Sequence, residues 1–187
     1  MEPPWLAAWR ARGASPEEAL ARFDTLPSPA PERLVGLWRG ETLRTGHPLD
    51  GLLEALGWHG KAVEAPDRVH PLLFRRPGGE VWALEPAWMP TALALAMPRL
   101  ARSAPSRGAF LALQPLLRAR HPGAALERQP FRGRTGTALV YRRQPIADHL
   151  RAIDPDRVLG LMERRGMAQP FLFLLTRERD DRPFPPE

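Results

Sequence analysis

The chain has 187 residues, of which 43% are hydrophobic and 26% charged, and its formal net charge is +6. That length gives one ordinary domain, or two small halves sharing a core. With no cysteine, a disulfide framework, a thiolate nucleophile and a Cys-ligated metal site are all excluded.

Met1-Glu2-Pro3-Pro4 lacks the basic start of a secretion signal, and no apolar run approaches the ~18 residues of a membrane span. The expectation is a soluble, cytoplasmic protein. Of the 27 basic residues every one but Lys61 is arginine; asparagine is absent and there are 23 prolines. Such a bias fits a GC-rich bacterial genome as well as it fits a basic partner. The placement of charge is more informative. No acid occurs between Glu85 and Glu127, whereas arginines recur at 99, 102, 107, 118 and 120.

Ser15-Pro16-Glu17-Glu18 is a capping box with proline at the first helical position, which predicts a helix through Phe23. A proline-rich hinge spans Pro27 to Pro31. The first strand runs from Gly36 to Arg44. His47 to Gly57 reads as a helix, with Pro48 near its start and Gly57 as its stop. Strand-like runs follow at Trp58 to Val63, Val69 to Arg75 and Val81 to Glu85, with Pro77-Gly78-Gly79 turning the chain between the last two. Residues 90 to 120, rich in alanine, leucine and arginine and broken by Pro98, Pro105 and Pro115, read as two short helices. Strand character returns at Leu126 to Phe131, Thr135 to Tyr141, Ile146 to Ile153, Val158 to Arg164 and Phe171 to Arg177.

About nine strands in sequential order predict a mainly β protein with flanking helices. Phe171 and Phe173 fall on one face of their strand and Leu172 and Leu174 on the other, so this sheet needs cover on both sides. An antiparallel up-and-down β-barrel with an N-terminal helix and a helical insert meets that need. A sheet with helices on one side is the alternative. The expected divisions are an N-terminal helical segment (1–32), a first half-barrel (33–88), a basic helical insert (89–121) and a second half-barrel (122–187).

Gly36-Leu37-Trp38-Arg39-Gly40, followed by Gly46-His47-Pro48-Leu49-Asp50-Gly51, carries a resemblance. With Trp58-His59-Gly60-Lys61, Val69-His70-Pro71-Leu72, Tyr141, Gln144 to His149, Leu159 to Met162 and Pro170 to Phe173, the chain resembles the GXWXG-domain family, whose second half is the domain of unknown function 4334. Two positions depart from that pattern: His59 stands where relatives usually have tyrosine, and Arg142 where they have an acid. The resemblance implies an outline like lipocalin and fatty-acid-binding barrels, with an apolar or amphiphilic ligand, and brings no established activity.

Gly36, Trp38 and Gly40 read as the structural motif, with Trp38 either plugging the barrel end or touching ligand. The candidate ligand-binding residues are His47, Trp58, Lys61, His70, Tyr141, Asp148 and His149. His47 either caps the following helix or points into the mouth. His70, held extended by Pro71, shares a face with Leu72 and Phe74 under strict alternation, so it is expected inside. Asp148 shares a face with Ile146 and Leu150, and a carboxylate among apolar groups needs a cationic partner from another strand: Lys61 or an arginine. His149 points the opposite way. The histidines lack metal-ligand spacing, and no nucleophile elbow, phosphate loop or dinucleotide fingerprint occurs.

Three functions follow as expectations. The leading one is a barrel that binds a lipid-like small molecule, with the basic helices as a lid or a contact with anionic membrane. It requires no cofactor. The second is a nitrobindin-like haem barrel with His70 or His149 as axial ligand. The third is an enzyme using Asp148 as acid or base. Nucleic acid comes last, because the basic segment lacks aromatic stacking groups apart from Phe110.

Overall fold

The structure, a computed structural model, describes residues 2–76, 78–89, 95–167 and 169–179. Two N-terminal helices, α1 (Pro4–Arg12) and α2 (Pro16–Thr25), precede the first strand. Ser15 caps α2 as its sequence requires, its Oγ accepting from the Glu18 amide at 3.1 Å. The capping box gave no sign of α1, which is anchored by tertiary contact: Trp9 is buried and donates its indole N–H to Glu18 at 2.9 Å.

Nine strands follow: β1 (Gly36–Thr42), β2 (Trp58–Ala65), β3 (Arg68–Arg75), β4 (Val81–Ala83), β5 (Ala124–Phe131), β6 (Arg134–Tyr141), β7 (Ile146–Asp154), β8 (Arg157–Arg164) and β9 (Phe171–Arg177). They form one antiparallel sheet in the order β2-β1-β9-β8-β7-β6-β5-β3-β4. A further β2–β3 pairing brings the sheet round on itself, so eight strands form a ring and β4 hangs on β3. The expected sequential order is met apart from β4, which β5 bypasses to reach β3 through Val69 and Ala124.

The two-faced strands find cover on both sides. Phe171, Phe173 and Leu175 point into the ring with Trp38, Trp58, Phe74, Leu139 and Leu150. Leu172 and Leu174, with Leu159 and Leu161, point outward beneath Leu6, Trp9 and Phe23 of α1 and α2. The N-terminal helices are therefore the outer lid of a second apolar layer, and the ring interior is the first.

One end of the ring carries the remaining helices. The expected helix over His47 to Gly57 is shorter: turns occupy the start and α3 spans only Leu52–Ala55. Glu54 of α3 accepts from the Thr42 amide at 2.6 Å, which fixes α3 at the C-terminal end of β1. The basic segment contains α4 (Pro98–Ala101) and α5 (Ala104–Leu113), separated by Arg102 and Ser103, and residues 95–96 before them are helical as well. Residues 90–94 of that segment, and Pro77 of the expected turn, lie outside the described residues. Phe110 of α5 packs on Phe74 with ring centroids 5.2 Å apart, and Leu95, Ala101 and Leu117 also rest on the interior core. Trp38 sits toward the opposite end, its Nε1 donating to the Leu34 carbonyl at 2.7 Å and its face covered by the Arg177 guanidinium at 4.2 Å. Among the described residues no helix is long and apolar enough to cross a membrane.

Candidate functional site: a buried lysine inside the ring

Two irregularities in the β2–β3 ladder build the site. Between Trp58↔Phe74 and Gly60↔Leu73, β2 advances by two residues while β3 advances by one. That β-bulge adds a residue at His59–Gly60, so Trp58 and Lys61 both reach the interior, which strict alternation forbids for residues three apart. Only glycine fits at 60. Its φ is +146°, and a Cβ there would collide with the Trp38 carbonyl oxygen. Gly40, at the end of the opening motif, makes room in the same way for the Trp58 indole ring, which lies where its Cβ would stand.

The second irregularity lies in β3. From Gly60↔Leu73 to Ala62↔His70, β2 advances by two and β3 by three. The extra residue falls at Pro71, which has no N–H to give to a ladder. The bulge has two consequences. It turns His70 out of the face of Leu72 and Phe74, correcting the alternation that placed it inside. It also frees the Pro71 carbonyl to accept from Lys61 Nζ at 3.0 Å.

Lys61 is almost wholly buried and all three of its donor directions are met. Besides Pro71 it donates to Asp148 Oδ2 at 2.8 Å and to the Tyr141 hydroxyl at 3.3 Å. The Phe173 ring lies 4.9 Å from the ammonium, with Tyr141 and Trp58 farther off. The partner that Asp148 required is therefore the chain's only lysine, bonded also to its only tyrosine. An ammonium has three donors in a tetrahedral spread, which this site matches; a planar guanidinium fork would not serve three acceptors set around one point. Every other Lys/Arg position in the chain is arginine. Burial and the adjacent Asp148 charge hold the Tyr141 hydroxyl well above the usual phenol range, so it remains a neutral donor. Asp148 Oδ1 is buried and has no hydrogen-bond partner among the described residues.

Tyr141 also forms the floor of an apolar cavity of about 60 Å³ at the helical end of the ring. Leu49, Leu53, Leu72, Met89, Ile146 and Phe171 are among its walls. The Pro86–Met89 turn above it is fastened by Gln144, whose Nε2 donates to the Pro86 and Met89 carbonyls at 2.6 and 3.0 Å. Arg102 ties α4 to the α3 turn by donating to the Pro48 and Asp50 carbonyls at 2.8 and 2.7 Å.

The histidines divide. His47 Nδ1 accepts from the Leu49 amide at 3.1 Å in the turn that precedes α3, so it does not cap the helix, whose N-cap is Gly51; its ring packs 5.5 Å from Phe171 at the mouth. His70 and His149 both stand on the outer face of the ring, His70 bonded to Glu64 at 2.8 Å and His149 to Glu163 at 3.1 Å. Phe131 stacks on the His149 ring with centroids 3.7 Å apart. Neither imidazole reaches the interior, where a haem-holding barrel would need one. Burial lowers the affinity of His47 and His149 for a proton. Among the described residues no three His, Asp or Glu side chains converge on a metal-holding position.

The structure brings Lys61, Asp148 and Trp58, all candidates from the sequence, together, and adds Pro71 and Gln144, whose roles the sequence did not suggest. A proline inside a strand signals a bulge and was the available clue; nothing local in the sequence ties Gln144 to residues 86–89.

The comparisons agree with this architecture. The family model described as GXWXG protein matches residues 21–79, and the domain of unknown function DUF4334 matches residues 122–177. The chain belongs to the GXWXG–DUF4334 family. In this GXWXG protein the first match contributes Lys61 and its bulge, and the second contributes Asp148 and Tyr141, so the buried cluster joins the two halves. A crystal structure of a protein from Thermomonospora curvata is similar, at 28% identity and a TM-score of 0.68, over 93% of this chain and 96% of that one. No curated protein matches the chain.

Proposed function

We propose that this GXWXG protein is a lipocalin-like barrel that binds a small apolar or amphiphilic molecule at the helical end of its ring. The supporting observation is the apolar cavity floored by Tyr141, whose hydroxyl is held by the buried Lys61–Asp148 pair. A cavity walled by leucine, methionine and phenylalanine with one oriented polar group is the usual chemistry of a small-molecule site. Its volume of about 60 Å³ is small beside the ~300–1,000 Å³ of ligand pockets in general. A ligand of ordinary size therefore enters by displacing the Pro86–Met89 turn and α3, which are held by the Gln144 and Arg102 clasps. The ligand's polar end meets Tyr141.

The test uses 1-anilinonaphthalene-8-sulfonate as an apolar probe of the folded chain. The expected result is saturable one-to-one binding that Ile146→Trp abolishes, by filling the cavity, and that Tyr141→Phe weakens. Native mass spectra of gently purified protein should show a bound apolar molecule that the Ile146→Trp protein lacks. Probe binding unchanged in a folded Ile146→Trp protein overturns the reading.

A second reading rests on Asp148 Oδ1, buried and without a hydrogen-bond donor beside Tyr141. It makes Asp148 a proton acceptor for a bound substrate, with Tyr141 as the donor. Solvent-deuterium exchange into a ligand recovered from the protein, lost in Asp148→Asn, tests it.

A further inference from the structure

Folded proteins seldom leave several large apolar side chains together in water. Among the described residues, seven large hydrophobic side chains are exposed, and all but Val35 lie between residues 88 and 116: Trp88, Met97, Leu100, Leu111, Leu113 and Leu116. Trp88 is 65% exposed and Leu116 78%. These residues do not serve the fold, because a different set (Leu95, Ala101, Phe110 and Leu117) already seats the segment on the ring core. The segment therefore has apolar groups on two sides, one inward and one outward.

The outward groups are interleaved with charge of one sign. Residues 86–126 contain arginines 99, 102, 107, 118 and 120 and no acid. Arg102 is engaged in the clasp on α3, and Arg118 lies 3.7 Å from Glu80. Arg107 also faces a cleft of about 700 Å³ whose walls hold Arg39, Arg75 and Arg76 against two acids, Glu41 and Glu54, so cations outnumber acids there as well.

We infer that this face, with Trp88, Leu100, Leu113 and Leu116 as its apolar elements and Arg99, Arg107 and Arg120 as its cations, docks the protein on an anionic lipid surface. Leucine and tryptophan side chains enter the boundary between headgroups and acyl chains, and arginines meet the lipid phosphates. A second copy of this chain is a poor occupant, since a two-fold interface would set these arginines against one another, and residues 86–126 hold no acid to meet them. Nucleic acid would use the arginines and leave the leucines in water. The inference goes beyond ligand binding: it puts the mouth of the ring against the membrane, where an apolar ligand can pass without crossing water.

The test is sedimentation of the full chain with vesicles of phosphatidylcholine alone, or with phosphatidylglycerol at about 30 mol%. The expected result is binding to the anionic vesicles only, released as salt rises to ~0.5 M because the Debye length shrinks. The variant Arg99→Gln/Arg107→Gln/Arg120→Gln should lower the partition coefficient about a hundredfold, at ~1 kcal/mol for each arginine. Trp88→Ser/Leu116→Ser should lower it at least about a hundredfold, at ~1.5 kcal/mol or more for each large apolar side chain withdrawn from the interface. Both variants alter exposed side chains, so unchanged melting temperatures verify the fold. Ile146→Trp, which closes the proposed ligand cavity, should bind vesicles like the parent, which separates this inference from the ligand reading. Equal binding to neutral vesicles overturns it. So does a Trp88→Ser/Leu116→Ser protein that binds as the parent does, as it would if an acidic macromolecule such as duplex DNA were the partner. Self-association lost in that variant, without vesicle binding, likewise overturns it in favour of a second copy.

Discussion

Lys61 Nζ lies 2.8 Å from Asp148 Oδ2 inside the ring, with both side chains almost wholly shielded from water. The two residues are 87 positions apart and come from different family matches. A charge in such a place is tolerated only with its partner. Lys61→Met should therefore cost about 3–5 kcal/mol, because it strands the Asp148 carboxylate. The double variant Lys61→Met/Asp148→Leu should recover most of that loss. Denaturant unfolding of these two variants and of Asp148→Leu measures the cycle; a single variant as stable as the parent would show that the pair is solvated.

Gly60 is the hinge on which Lys61 turns inward. Gly60→Ala places a Cβ against the Trp38 carbonyl at a φ of +146°. The expected loss exceeds ~3 kcal/mol, from strain at a glycine-only conformation and displacement of β1. Gly79→Ala, at a positive φ in open space, should cost less, and thermal melts of the two compare them directly.

Trp38 is buried at the end of the ring away from α3, where Leu34 and Arg177 hold it. Trp38→Ala should destabilise by about 3–5 kcal/mol, as large-to-small core changes do. Trp88→Ala removes an exposed indole and should leave the melting temperature nearly unchanged.

Acid should weaken the fold in two stages. Burial lowers the pKa values of His47, His59 and His149 from 6.5, so the folded chain holds fewer protons than the unfolded chain just below that pH. Their contribution is complete above pH 6.5 and is lost as pH falls through the lowered folded values. A hydrogen bond from Arg132 lowers Asp24 below 3.8, so its contribution is lost in a later stage, below that pH. Urea unfolding from pH 7.5 downward should show the first decline. His149→Gln should shrink it, and a flat profile between pH 7.5 and 5.5 would contradict burial of neutral imidazoles.

The Gln144 side chain donates to both the Pro86 and Met89 carbonyls. Gln144→Leu should loosen the cover at the mouth while sparing the ring. Amide exchange in residues 95–117 should accelerate about thirtyfold, with β7–β9 unchanged, since two hydrogen bonds of ~1 kcal/mol each are lost locally. Uniform exchange rates across parent and variant would mean that the cover is held by its apolar contacts alone.

The sequence by itself determined the strands, their sequential order apart from β4, and the need for cover on both faces, because alternation in Phe171 to Leu175 leaves neither side polar. It determined the α2 cap at Ser15 and the need of Asp148 for a cation, since a carboxylate among Ile146 and Leu150 cannot stand alone. Those are local consequences of residue type and period. Tertiary structure decided where the irregularities lie, with Pro71 a local clue to one of them. Bulges at Gly60 and Pro71 shift the count of one strand against its neighbour, which no period within a single strand reveals. They brought Lys61 inside to Asp148 and sent His70 outside to Glu64. Helix α1 likewise depends on Trp9 reaching Glu18 of α2 and on the outer face of β8 and β9, a surface that exists only once the ring has formed.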